Sequence, residues 1–184
     1  MQLNDKPSTA TVLGRGVLAG LAGTVVMTAF QKLIEMPLTQ RQDSYAPADF
    51  AEKLLPVHPK TPAGRRRLNY TTHFSLGGMW GTAYGIAAAQ GLRGQKAVNT
   101  VFAVVYTGDV LLNTALGLYQ PSTWAAKDWA IDVVDKYVQA QATGAVFDRA
   151  LDPARQSDRP IRAVTPCRLN RGGTPWARPA DASW

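Results

Sequence analysis

Gly77, Gly81 and Gly85 stand four residues apart, and Ala89 continues the row. On a helix that spacing gathers them into one smooth stripe. Glycine inside a water-exposed helix costs roughly 1 kcal/mol against alanine, so a helix with three of them on one face needs a compensating contact. In a bilayer, lipid gives helices no hydrophobic reason to associate, and small residues let backbones approach closely. The stripe therefore predicts a membrane helix packed on a partner helix. It points to architecture and not to a reaction.

The bulk averages argue the other way until they are resolved along the chain. Hydrophobic residues make up 46% of the 184 residues and the mean hydropathy is −0.14, ordinary values for a soluble protein. Polarity, however, is concentrated in residues 35–70 and in the tail from 152, which hold most of the charge and proline. The sequence divides into a polar N-terminal segment (1–11), a helical region (12–151) with a long polar loop at 35–70, and an Arg- and Pro-rich tail (152–184). The tail holds too few large aliphatic residues to offset its ordering entropy, and disorder is expected there. Residues 1–11 are polar, and the apolar run after them has no clear small-x-small cleavage site. It reads as a retained first helix.

The helical region contains four segments. Val12–Ile34 has the length of a spanning helix. It carries Gly16 and Gly20, with Thr24 continuing their row, and has Arg15 and Lys32 near its ends, where long basic side chains reach headgroups. Thr72–Leu92 holds the glycine stripe. Ala97–Tyr119 is apolar apart from Asn99, Thr100, Asp109 and Asn113. Trp124–Leu151 is amphipathic, with Ser122 or Thr123 as its expected N-cap. Within the loop, Ala48–Leu55 reads as a short surface helix. The expected fold is all-α, a polytopic membrane bundle of four helices, three spans plus the amphipathic fourth. The first two should pack through Gly16, Gly20, Gly77, Gly81 and Gly85.

Polar residues inside apolar segments are the candidate sites. Asp109 lies mid-segment, where a carboxylate costs at least about 2.5–3.5 kcal/mol on insertion scales unless paired or protonated. Asn113 shares its face. Asp128, Asp132, Asp135 and Gln139 share a face of the fourth segment, and Asp132 precedes Lys136 at the favourable i,i+4 spacing. That stripe either lines the bundle interior, meeting Asp109 or Arg15, or forms the wet face of an interfacial helix. The tryptophans and tyrosine on the opposite surface favour the interior. Asp109 is a proton or cation site on one reading and a structural hydrogen-bonding group on another. His73 either titrates or anchors a helix end.

No GxSxG, HExxH, P-loop or GxGxxG pattern is present, so no catalytic residue is assigned. The single cysteine, Cys167, and two histidines argue against a metal centre, and no cofactor is expected. The net charge of +7 and pI near 9.8 owe much to the tail. Arg65, Arg66 and Arg67 flank the second segment and read as anchors to anionic lipid headgroups. Nothing interleaves them with aromatics in the way nucleic-acid binding requires, so no nucleic-acid partner is expected.

Glu35-Met36-Pro37-Leu38-Thr39-Gln40-Arg41, followed by Pro47–Phe50, comes directly after the first span, and Thr72-His73-Phe74-Ser75 opens the second, with Gly81 and Tyr84-Gly85 further along. This arrangement resembles the YagU-like group of small bacterial inner-membrane proteins, over roughly residues 14–150. The resemblance implies a helical bundle in the inner membrane, without a settled chemistry, and raises the interest of Glu35, Arg41 and His73. Asp132 and Lys136 depart from it, standing where glutamate and histidine would be expected. The leading expectation is a non-enzymatic, multi-pass inner-membrane protein acting by helix packing or partner binding, as a homo-oligomer or with a membrane partner. Both termini are expected in the cytoplasm. Proton or small-solute permeation through the carboxylates is the second reading. A membrane enzyme is the third, to be favoured by a pocket joining Glu35, Arg41 and His73.

Overall fold

The computed structural model describes residues 8–153. Helix α1 (Thr9–Phe30) begins at Ser8, whose hydroxyl accepts from the Thr11 N–H at 3.2 Å. It runs unbroken into a π-helical turn, Gln31–Glu35, and then the short α2 (Met36–Thr39). Gln40, at φ 58°, stops the chain in a left-handed conformation. Helix α3 (Ala46–Leu54) lies in the loop, α4 is Pro62–Ala89, α5 is Gly94–Ala115 and α6 is Ala126–Val146, ending in a second π turn, Phe147–Leu151. No strand occurs among the described residues, and the fold is all-helical.

The four long helices form an up-and-down bundle. Helices α1 and α5 run one way, α4 and α6 the other. Helix α1 packs on α4 and α6, while α5 packs on the same two from the opposite side. The α1–α4 contact is made backbone to backbone. A Cβ at Gly20 would lie 2.6 Å from the Gly81 nitrogen and 2.7 Å from its Cα. One at Gly16 would meet the Gly81 carbonyl and lie 3.2 Å from the Gly85 Cα, and one at Gly85 would lie 3.2 Å from the Val12 oxygen. Gly77 abuts Thr24, Gly23 abuts Thr143, and Gly144 faces the Tyr84 ring. Glycine is needed here because the space is already filled.

Below this waist, where α4 turns into α5, charged groups tie the end shut. Arg93 Nε donates to Asp152 at 2.8 Å, the Tyr84 hydroxyl and the Gly94 N–H both donate to Asp148 Oδ2 at 2.9 Å, and Arg15 donates to the Leu151 carbonyl at 3.0 Å. Tyr84 and Phe147 are fully buried against each other, ring centres 5.3 Å apart.

Several boundaries differ from those expected. Helix α4 starts at Pro62, ten residues before Thr72, because Thr61 caps it, accepting from the Gly64 N–H at 3.1 Å, and proline suits a first helical position. The arginines 65–67 therefore lie on its first turns, and the loop is shorter than residues 35–70. Arg65 is committed within the protein: it pairs with Asp49, lies 3.5 Å from Glu52, and stacks over the Tyr45 ring. Arg66 and Arg67 stay exposed. Helix α6 begins at Ala126; Pro121–Thr123 forms a separate 3-10 turn, and the Asp128 carboxylate, in place of Ser122 or Thr123, accepts the Ala125 N–H at 3.2 Å. Arg15 bonds the end of the chain described here and does not meet the aspartate stripe. Disorder is expected over 152–184, yet Asp152 is buried and paired with Arg93 and Pro153 is buried; the remainder of that expectation, from 154, lies outside the described residues, as do residues 1–7.

Among the described residues, only Thr9–Thr39 is long and apolar enough to cross a membrane by length and composition alone. Helix α4 falls short because glycine, threonine, tyrosine and tryptophan dilute its aliphatics, and α5 because of Asn99, Asp109 and Asn113. By that measure the described residues hold one candidate span, where three were expected.

Candidate functional site

Above the glycine waist the helices separate. Met27, Gln31, His73, Trp80 and Ile131 replace glycine at the facing positions, and a cavity of about 790 Å³ opens between all four long helices. Its floor is Gly77, Trp80 and Gln139. Gln139, 4% exposed, donates its amide to Thr24 Oγ1 at 3.0 Å, and Thr24 donates onward to the Gly20 carbonyl at 2.9 Å, so the polar floor is internally satisfied.

The α5–α6 wall carries a charged cluster. The Lys136 ammonium lies 2.7 Å from Asp109 Oδ2 and 2.9 Å from Asp132 Oδ1, realising the i,i+4 pair and joining the two helices. Asn113 donates to Asp109 Oδ1 at 2.9 Å. The ammonium also sits 5.3 Å and 5.4 Å from the ring centres of Tyr106 and Tyr119, within cation–π range. Three charges held this way leave one carboxylate in excess.

Asp135 is built differently. It is 7% exposed, its Oδ2 accepts from Gln31 Nε2 at 2.8 Å, and its Oδ1 faces no hydrogen-bond donor among the described residues. A buried carboxylate left half-satisfied is costly. Gln31 reaches it because α1 widens into its π turn there, a distortion often found at functional sites. The same turn sets Glu35 on the cavity wall, where it accepts from the Thr39 hydroxyl at 2.7 Å. His73 Nε2 lies 3.1 Å from Thr28 Oγ1. Lys32 pairs with Asp43 at 2.7 Å, and Arg41 stands exposed at the mouth.

The two candidate groups read from the sequence thus meet in one place. Asp109, Asn113, Asp128, Asp132 and Asp135 line the same cavity as Glu35, Arg41 and His73. The aspartate stripe faces inward, and Asp132 meets Asp109 through Lys136. Sequence reasoning did not single out Gln31, Tyr106 or Tyr119. Gln31 follows Thr24 by seven residues on the glycine row, a spacing that could have suggested it. The tyrosines carried no signal until α5 was placed against α6.

The arrangement can hold a polar or cationic group against carboxylates within partly apolar walls. A reaction centre is less complete. The Thr28–His73 contact pairs a hydroxyl with an imidazole, but no group orients the other imidazole nitrogen among the described residues, as an activated nucleophile requires. Nor do three His, Cys, Asp or Glu side chains converge as a metal-binding group among the described residues. No family model, curated protein or solved structure matches the chain.

Proposed function

We propose that this chain is an integral membrane protein whose helices span the bilayer as a bundle and bind a small molecule in a cavity open at one end. The observation that carries the binding reading is the cavity itself, with the buried and half-satisfied carboxylate of Asp135 among the residues that line it. Its volume falls within the range of small-molecule sites. Permeation is disfavoured because the close contacts of Gly16, Gly20 and Gly81 bring α1 and α4 together below the cavity floor at Gly77, Trp80 and Gln139. The likeness to the YagU-like group is consistent with this proposal.

The membrane part rests on outward-facing aliphatics at helical spacing. Leu18 and Val25 on α1, Met79 and Ile86 on α4, and Val104 and Leu111 on α5 are each 47–68% exposed. Fully burying such a side chain is worth roughly 1.5–3 kcal/mol, and the bundle leaves all six uncovered. Lipid would cover them. The chain should sediment with membranes, resist alkaline extraction and need detergent to stay dispersed. A purified chain that remains dissolved and monomeric without detergent would overturn the membrane reading.

A second reading, a membrane enzyme, draws on the cavity joining Glu35, Arg41 and His73. It ranks behind binding because no nucleophile, base and orienting group are assembled.

A further inference from the structure

We infer that the cavity receives a primary ammonium group attached to an apolar body, with Asp135 as its counter-ion; this deepens the binding reading above and depends on it.

Lys136 shows how the cavity holds an ammonium, between carboxylates at 2.7 Å and 2.9 Å and over two tyrosine rings. Asp135, the adjacent residue, has no such counterpart. Gln31 orders one of its oxygens; Oδ1, enclosed beside the cavity wall that Asp135 helps to line, has no donor among the described residues. None of the cations nearby bonds Asp135: Lys32 is bound to Asp43, Lys136 to two aspartates, and Arg41, exposed at the mouth, acts on Asp135 only through space. Glu35 adds further negative charge to the same wall.

The missing partner must therefore bring a hydrogen-bond donor and positive charge. The absence of a converging metal-ligand set among the described residues favours an organic cation over a metal ion. Met27, Leu76 and Leu112 supply apolar wall for a short chain. An ammonium of this kind is carried by a free alkylamine or by an aminophospholipid headgroup.

The full-length protein in phosphatidylcholine nanodiscs is titrated with n-hexylamine, 1-hexanol and hexanoate, followed by tryptophan fluorescence, since Trp80 and Trp124 line the cavity. Hexylamine should bind at least tenfold more tightly than hexanol, and hexanoate should not bind. Asp135→Asn should abolish the preference for amine over hexanol. Equal binding of hexylamine and hexanol, or an amine preference that survives Asp135→Asn, overturns the ammonium inference and leaves the binding cavity standing. Failure of every probe overturns the binding reading and this inference with it. If the variant does not fold, the preference in the unaltered protein decides. Phosphatidylethanolamine added to the nanodiscs displaces hexylamine if the natural source is a headgroup; hexylamine binding that is unaffected assigns a free amine.

Discussion

Helices α1 and α4 run side by side for most of their length, yet treat each other in two ways. Between Val12 and Thr24 on α1 they touch through Gly16, Gly20, Gly77, Gly81 and Gly85, with no room for a methyl group. From Met27 onward the same helices part, and the polar residues between them face a cavity of about 790 Å³. Side-chain size changes at the same place, as glycine gives way to Met27, Gln31 and His73. The tight half provides rigidity, and the open half can carry incompletely paired groups because the tight half holds the helices in place. Stability should therefore reside in the glycines and binding in the carboxylates, and each half can be perturbed without the other.

The largest effect should come from Gly81→Leu. Its side chain has only the Gly16 carbonyl and Gly20 backbone to occupy, so overpacking should remove about 4 kcal/mol or more of stability. Reversible unfolding in mixed micelles, read by circular dichroism, would measure it; a near-native midpoint would show that the waist is not the structural half. Tyr84→Phe deletes the bond to Asp148 at the sealed end and should cost about 1–2 kcal/mol in the same assay. Asp135→Asn keeps a side-chain oxygen to accept from Gln31 and removes a half-satisfied charge. It should be neutral or stabilising by up to about 1 kcal/mol. A loss larger than that of Tyr84→Phe would mean that the open half also carries the fold. Val104→Ser, on the outer face of α5, should alter stability by less than about 0.5 kcal/mol, because its side chain is 68% exposed and packs on little.

The sequence revealed the tight half more fully than the open one. Glycine at four-residue spacing has few physical uses, and it located the waist and the helices that build it. Asp132 and Lys136 paired as their spacing required. The early start of α4 was encoded in Thr61-Pro62 but masked by the three arginines that follow, which look like a flank. The fourth helix was harder to bound, because Asp128 supplies its own capping group three residues into the chain from Ala125. The union of Glu35, Arg41 and His73 with the aspartates could not be read in advance. It depends on how far α5 stands from α1, a distance fixed by large side chains acting together. The glycines that let α4 pack, and so made it legible, also lower its hydropathy below that of a candidate span.

The π turn at Gln31–Glu35 has a consequence for how the two halves are coupled. A π turn accommodates roughly one residue more than the α-helical turn it replaces. Removing a single residue there would restore an ordinary helix and leave Glu35 and the approach to Arg41 on their present side of the axis, whereas removing one elsewhere in α1 would swing everything after it by about 100°. The surplus residue thus works as slack, taken up within one turn between a fixed shaft and the rim of the cavity.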